Sequence, residues 1–220
     1  MIYLVRHGET DWNKLKIWQG NSDIPLNETG RAQANAIAKR LETVEIEAIY
    51  SSPLSRAFET ARIIADYLNV DLTVMEDLSE GRINLWNGKN ILEVLSEFKD
   101  EFEIWRTDPY AEINGVEPLA NLQSRAVKSF KRIVLNHSDD SNIIIVSHAL
   151  WLKSLICWIL RMPLSENRRL RINNASITMV SYDRGEFYLE SLNETWHLNN
   201  LSNLQNFGGV SYGESKDNRR

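Results

Sequence analysis

Five side chains in this sequence could act together on an anionic ester: Arg6, His7, Arg56, Glu80 and His148. His7 and His148 each stand just past an apolar run, Ile2 to Val5 and Asn142 to Ser147, that reads as a buried strand. Ligands of an open α/β sheet gather past the carboxyl ends of its strands, so both imidazoles fall at one edge and could share a pocket. Arg6 ends the first strand. Arg56 stands early in the helix after the second, in Ser51-Ser52-Pro53-Leu54-Ser55-Arg56-Ala57, where backbone N–H groups and the helix dipole also favour an anion. Two guanidinium forks are permanently charged donors matched to phosphate oxygens. A histidine beside them is a poor metal ligand and a good nucleophile toward phosphorus. Glu80 follows the third strand; held near a phosphate and against Trp86, it could give a proton to a leaving alkoxide. Gly8 lets the backbone turn sharply and an anion come close. His137, in a polar run, reads as surface, and His197 as a rim or structural residue.

The elements that must position these groups alternate. A polar loop from Asp11 to Pro25 leads to a helix opened by Asn27 as cap, with Ala32, Ala36, Ile37 and Leu41 on its apolar face. Ala48 to Ser51 is a second strand, and Ser52-Pro53 reads as the cap and first-turn proline of a helix running to Leu68. Asp71 to Met75 is a third strand. An irregular, tryptophan-rich stretch of about 76–115 follows, with helical pieces near Ile91 to Phe98 and Glu101 to Trp105, read as an insertion over the sheet. Helices over Glu117 to Leu135 and Ala149 to Leu160 flank the strand that ends at His148. Asp183-Arg184-Gly185 marks a hairpin between two last strands. The pattern predicts an α/β fold of three layers, with helices on both faces of a mostly parallel sheet finished by an antiparallel edge hairpin. Residues 1–198 read as one domain and 199–220 as a polar, disordered tail, which Leu201, Leu204 and Phe207 could dock.

Composition narrows the function. The 220 residues are 43% hydrophobic and 25% charged, which suits a globular chain with a real core. A net charge of -5 offers no basic field to follow a nucleic acid backbone, so an anionic substrate must be met by a few placed arginines. The single Cys157 excludes an internal disulfide and a cysteine zinc cluster, and its apolar neighbours make it an inert buried thiol. Asn142 to Leu160 contains His148 and Lys153 and changes character midway, so it reads as strand and helix and not as a membrane span. With the first strand starting at Met1, no signal peptide is expected, and the expected location is cytoplasmic. Walker-type, Gly-x-Ser-x-Gly, His-Glu-x-x-His and Cys-x-x-Cys motifs are missing; no metal and no cofactor is expected.

Arg6-His7-Gly8-Glu9-Thr10 with Trp12-Asn13 resembles the signature of the histidine phosphatase superfamily, the phosphoglycerate mutase-like family. The similarity extends from Met1 to about His197 through Pro25 to Ala34, Tyr50 to Ala61, Leu78-Ser79-Glu80 and Val146-Ser147-His148. It implies a phosphoglycerate mutase-like fold and a metal-independent phosphomonoesterase acting on small phosphorylated metabolites. In that reading His7 forms a phosphohistidine, and Arg6, Arg56 and His148 hold the phosphoryl oxygens. Asn13 lines the pocket, and Glu80 is the general acid that later activates water. Relatives are often dimers, so a homodimer is possible. Three departures alter the walls that choose the substrate: Asn84-Leu85-Trp86-Asn87-Gly88 after the acid, Ser147-His148-Ala149-Leu150, and Gly115-Val116-Glu117-Pro118. The alternatives are a 2,3-bisphosphoglycerate-dependent mutase, which carries a longer basic insertion after the acid, and an inactive phosphoester-binding protein.

Overall fold

The central strands are buried on both faces, and successive side chains along them enter opposite cores, which builds the layers. The computed structural model describes residues 1–204. Strand β1 (Ile2–Arg6) sends Ile2 and Leu4 to one face, Tyr3 and Val5 to the other; β4 (Ile143–Ser147) divides Ile143 and Ile145 from Ile144 and Val146 in the same way. With β2 (Ala48–Ser51), β3 (Leu72–Val74), β5 (Ile177–Asp183) and β6 (Glu186–Glu194) they form one sheet in the order β3-β2-β4-β1-β5-β6. The first four strands are parallel, β5 runs antiparallel to β1, and β6 antiparallel to β5. The β5–β6 turn has positive φ at both Arg184 and Gly185, as a two-residue hairpin loop requires.

Helices α2 (Glu28–Arg40) and α3 (Ser55–Leu68) cover one face. On the other lie α6 (Leu119–Val134) and α7 (Ala149–Ile159), joined by the inserted α4 (Ile91–Glu97) and α5 (Lys99–Thr107). The insertion is anchored by an aromatic cluster of Trp18, Trp86, Phe102 and Trp105, with ring centroids 5.2 to 6.0 Å apart. A four-residue helix, α1 (Asp11–Lys14), follows β1. Among the described residues no helix is long and apolar enough to cross a membrane. Cys157 is buried, and burial pushes its thiol up to about 11.

Several local expectations need correction. Pro53 is not in the first turn of α3, which begins at Ser55; Ser52 Oγ instead accepts from the Leu54 N–H at 3.2 Å, a turn before the helix. Gly8 does not have a positive φ. Its missing side chain lets the loop cross α2, since a Cβ there would lie 2.5 Å from the Gly30 carbonyl oxygen, and one on Gly30 would lie 2.2 Å from that of Glu9. His137 is no free surface residue: its ring bonds Tyr50 Oη at 2.8 Å and Glu47 Oε1 at 2.6 Å. The chain beyond Asn199 continues a 3-10 helix over Trp196–Leu204, and Leu201 packs against the α2–α3 core. The Leu204 side chain and Phe207 lie outside the described residues.

Candidate active site

The register of β1 and β4 brings the two histidines together. Arg6 pairs with Ser147, and the His7 N–H donates to the Ser147 carbonyl at 3.0 Å, so His7 and His148 leave the sheet side by side. Their ring centroids are 5.1 Å apart. His7 Nδ1 lies 2.7 Å from the Gly8 carbonyl oxygen. A carbonyl only accepts, so Nδ1 carries the ring proton and Nε2 keeps its lone pair. Burial, then the charges of Arg56 and Arg6, push the His7 pKa well below its usual value, against a smaller opposite effect from the Gly8 bond. The ring is therefore neutral at neutral pH.

The loop behind it is clamped from three sides. The Gly8 N–H donates to Thr60 Oγ1 on α3 at 3.0 Å. The Ala175 N–H reaches the Arg6 and His7 carbonyls at 3.0 and 3.1 Å, and Asn174 Nδ2 donates to the His7 and Gly8 carbonyls at 3.2 Å each. Asn174 Nδ2 also donates to Asn13 Oδ1 at 3.0 Å. Thr10 uses the same oxygen in the capping box that opens α1, so the amide of Asn13 is fixed with its own N–H groups left over.

Arg6 and Arg56 line a cavity of about 350 Å³ together with His7, Asn13 and Glu80. Each arginine is held through its outer nitrogens by backbone carbonyls. Arg6 Nη1 donates to Ile172 at 2.7 Å; Arg56 donates to Ser22 at 2.7 Å and Gly20 at 2.6 Å. Neither has a carboxylate partner among the described residues, and the Nε of each is buried without an acceptor. Burial lowers both pKa values to about 10, which leaves both charged. Such a pocket is short of an anion.

His148 is fully buried beside His7, and its Nε2 lies 2.8 Å from Ser52 Oγ. That hydroxyl already accepts from Leu54, so its hydrogen is free for Nε2, and the ring proton then lies on Nδ1. Nδ1 is buried and has no partner. Burial first, then Arg56, His7 and Arg6, keep this ring neutral too.

Glu80 is placed by backbone. Its Oε1 accepts from Gly81 at 2.9 Å and from Trp151 at 3.2 Å, and its Oε2 from Leu150 at 3.2 Å, in the first turn of α7. Oε2, with a single long bond, is the less committed of its two oxygens. Trp86, expected against this carboxyl, is buried instead in the aromatic cluster. The segment of Glu80 is gripped by Arg125, which donates to the Asp77, Ser79 and Glu80 carbonyls and twice to Glu117. Among the described residues no group of His, Cys, Asp and Glu is arranged to hold a metal.

A sequence model of the histidine phosphatase superfamily, branch 1, matches residues 2–195. The chain belongs to that superfamily. Phosphoserine phosphatase 1 of Hydrogenobacter thermophilus is 31% identical over 198 residues, 90% of this chain and 93% of that protein. A probable phosphoglycerate mutase, GpmB, of an Enterobacter species is 35% identical over 188 residues, 82% and 84% of the two chains. The solved structure of Bacillus stearothermophilus YhfR superposes with a TM-score of 0.83 at 33% identity, covering 90% of this chain and 98% of that one. The superfamily motifs thus occupy one wall here: Arg6, His7, Asn13, Arg56 and Glu80 line the cavity, with His148 directly behind.

Sequence reasoning missed other contributors. Lys153, Arg168 and Arg171 also line the cavity, while Asn174, Ala175, Ser52 and Arg125 position the groups that do. Glu117, a second buried carboxyl near Glu80, is committed to Arg125 and the Arg82 N–H; these bonds outweigh burial and hold its carboxyl below the usual range. His197 is spent on the Ala175 carbonyl at 2.9 Å.

Proposed function

We propose that this protein is a phosphomonoesterase of small phosphorylated metabolites that works through a phosphohistidine on His7. The observation that carries the reading is the His7 ring: neutral, with its proton held on Nδ1 by Gly8, beside two guanidiniums that have no bonded carboxylate among the described residues and whose buried Nε atoms have no acceptor there. A phosphoryl group seated between Arg6 and Arg56 would accept from their free Nε–H groups, from Asn13 and from His148 Nδ1–H. His7 Nε2 then attacks phosphorus and the P–O bond to the alcohol breaks. Glu80 gives its proton to the leaving oxygen, takes one from an entering water, and that water cleaves the P–N bond to release phosphate. Fixed cations stabilise the charge that spreads over the phosphoryl oxygens. The cytoplasm is the compartment we infer, supported by the buried, unpaired Cys157.

The test is trapping. With labelled p-nitrophenyl phosphate, quenched enzyme should carry label that is acid-labile and base-stable, as phosphoramidates are, and His7→Ala should carry none. Full turnover by that variant, or label on serine, sinks the mechanism. Incubated with 3-phosphoglycerate, a hydrolase releases inorganic phosphate; a mutase would accumulate 2-phosphoglycerate instead.

A further inference from the structure

The cavity holds more positive charge than one phosphoryl group uses. Beyond Arg6 and Arg56 its wall includes Lys16, Lys153, Arg168 and Arg171, against Glu80 as the one lining carboxylate among the described residues. Arg168 is partly spent on Glu166 at 3.5 Å. The side chains of Lys153 and of the exposed Arg171 have no ion pair or hydrogen bond among the described residues. Lys153 lies three and two residues past Leu150 and Trp151, whose N–H groups receive Glu80, about 3–4.5 Å further along α7. It is half-buried, and burial, with Arg6 nearby, lowers its pKa to about 8 against the opposing pull of Glu80. Arg171 adjoins Ile172, whose carbonyl holds Arg6. Both cations thus flank the Arg6 side of the phosphoryl clamp. Leu150, Leu170 and Ile172 line the same cavity and offer apolar surface for a short carbon skeleton.

A half-buried ammonium without a counter-ion is costly to keep, and the cost falls if the ligand brings the anion. Building on the phosphomonoesterase reading, we propose that Lys153 and Arg171 form a second anion subsite, which selects phosphomonoesters bearing a further anionic group a few bonds from the ester. The guanidinium can take two oxygens of a carboxylate or phosphate as a fork, and the ammonium adds a point charge. An ester with only hydroxyls at that end would leave both cations unpaired and bind less tightly.

The experiment compares kcat/KM for glycerol 3-phosphate, 3-phosphoglycerate and propane-1,3-diol bisphosphate. Wild-type enzyme should favour at least one doubly anionic ester over glycerol 3-phosphate by about tenfold or more, the scale of one well-placed charge pair. Preference for 3-phosphoglycerate would identify the subsite as a carboxylate site, and preference for the bisphosphate as a second phosphate site. Lys153→Met with Arg171→Met should collapse the ratio toward one, mostly through KM, while Lys153→Arg should hold it within about threefold of wild type. A wild-type ratio near one, or a ratio unchanged in the double variant, overturns the subsite. If p-nitrophenyl phosphate is hydrolysed in those cases, only the subsite falls; if wild-type enzyme hydrolyses nothing and takes no label, the phosphomonoesterase reading falls with it.

Discussion

Replacing Arg125 by Met should uncouple the position of Glu80 from the rest of the site. The change removes two bonds to Glu117, at 2.9 and 3.1 Å, and one each to the carbonyls of Asp77, Ser79 and Glu80 at 3.1, 2.6 and 2.9 Å. At about 1 kcal/mol net per bond the loss would be about 5 kcal/mol, but the Arg125 side chain is 23% exposed and water can replace part of it. A net destabilisation of about 2–4 kcal/mol is expected. In a chain of this size that lowers Tm by roughly 5–15 °C. The kinetic effect separates positioning from stability. Glu80 touches α7 through its carboxyl but is held at its carbonyl by Arg125, so without that grip the acid is free to drift. A displacement of about 1 Å can cost about a hundredfold in a step that needs the misplaced group. Single-turnover phosphoenzyme formation, measured well below the new Tm, should slow roughly ten- to a hundredfold with an alkyl phosphate. With p-nitrophenyl phosphate, whose leaving group needs no proton, it should slow by less than about threefold. Equal slowing with both substrates, or a lower Tm with neither rate changed, would refute this account and leave Arg125 a purely structural residue.

Two further outcomes are expected. Glu80→Gln should slow phosphoenzyme formation from an alkyl phosphate by roughly a hundredfold, spare the aryl phosphate, and let the phosphoenzyme accumulate because no base activates water; p-nitrophenol release without a stopped-flow burst would count against it. His7 and His148 are buried with pKa values well below 6.5, so the unfolded chain binds protons there that the folded chain does not. Stability should then be full above the unfolded value and fall as pH drops below it, by up to about 1.4 kcal/mol per pH unit for each histidine. Urea melts from pH 7 to 5 of wild type and His148→Asn, with a shallower slope in the variant, check the sign; parallel slopes would contradict it.

The sheet was legible because its signals are local. The unbroken apolar runs of Ile143 to Val146 and Ile2 to Val5 follow from strands buried on both faces, and a histidine just past the end of each parallel strand must lie at the same edge. The contributors that stayed hidden act over long sequence distances. Arg125 reaches Glu80 across 45 residues, Asn174 reaches His7 across 167, and neither sits in a pattern that distinguishes it from a solvated side chain. Lys153 in the sequence serves only to argue against a membrane span; that it lines the cavity with Arg171 and Ile172 follows from the packing. Ser52-Pro53 misled for the opposite reason. The pair is a good local start for a helix, but the chain must first turn at the sheet edge, where Ser52 serves His148. The αL conformation of Ala175, with φ of 56°, carries no sequence mark, since a turn normally puts Gly or Asn there.

The choice of residue types in the clamp follows from one electrostatic constraint. The nucleophile must be uncharged to have a lone pair, yet it must stand against groups that are charged. Burial works in the same direction on every cation here, lowering its pKa, and the groups differ in how far they can fall before losing the proton. The imidazoles start near neutrality and are driven well below it, so His7 is neutral without any base to deprotonate it. The guanidiniums start so high that, lowered to about 10, they remain cations. Burial brings Lys153, which starts lower than a guanidinium, to about 8. A lysine in the position of Arg6, desolvated and close to Arg56, would be lowered in the same way from a lower start and would tend to deliver its charge only when the anion arrived. Arginine holds the charge in advance of binding, and histidine holds the lone pair; the same burial that makes the first costly makes the second possible.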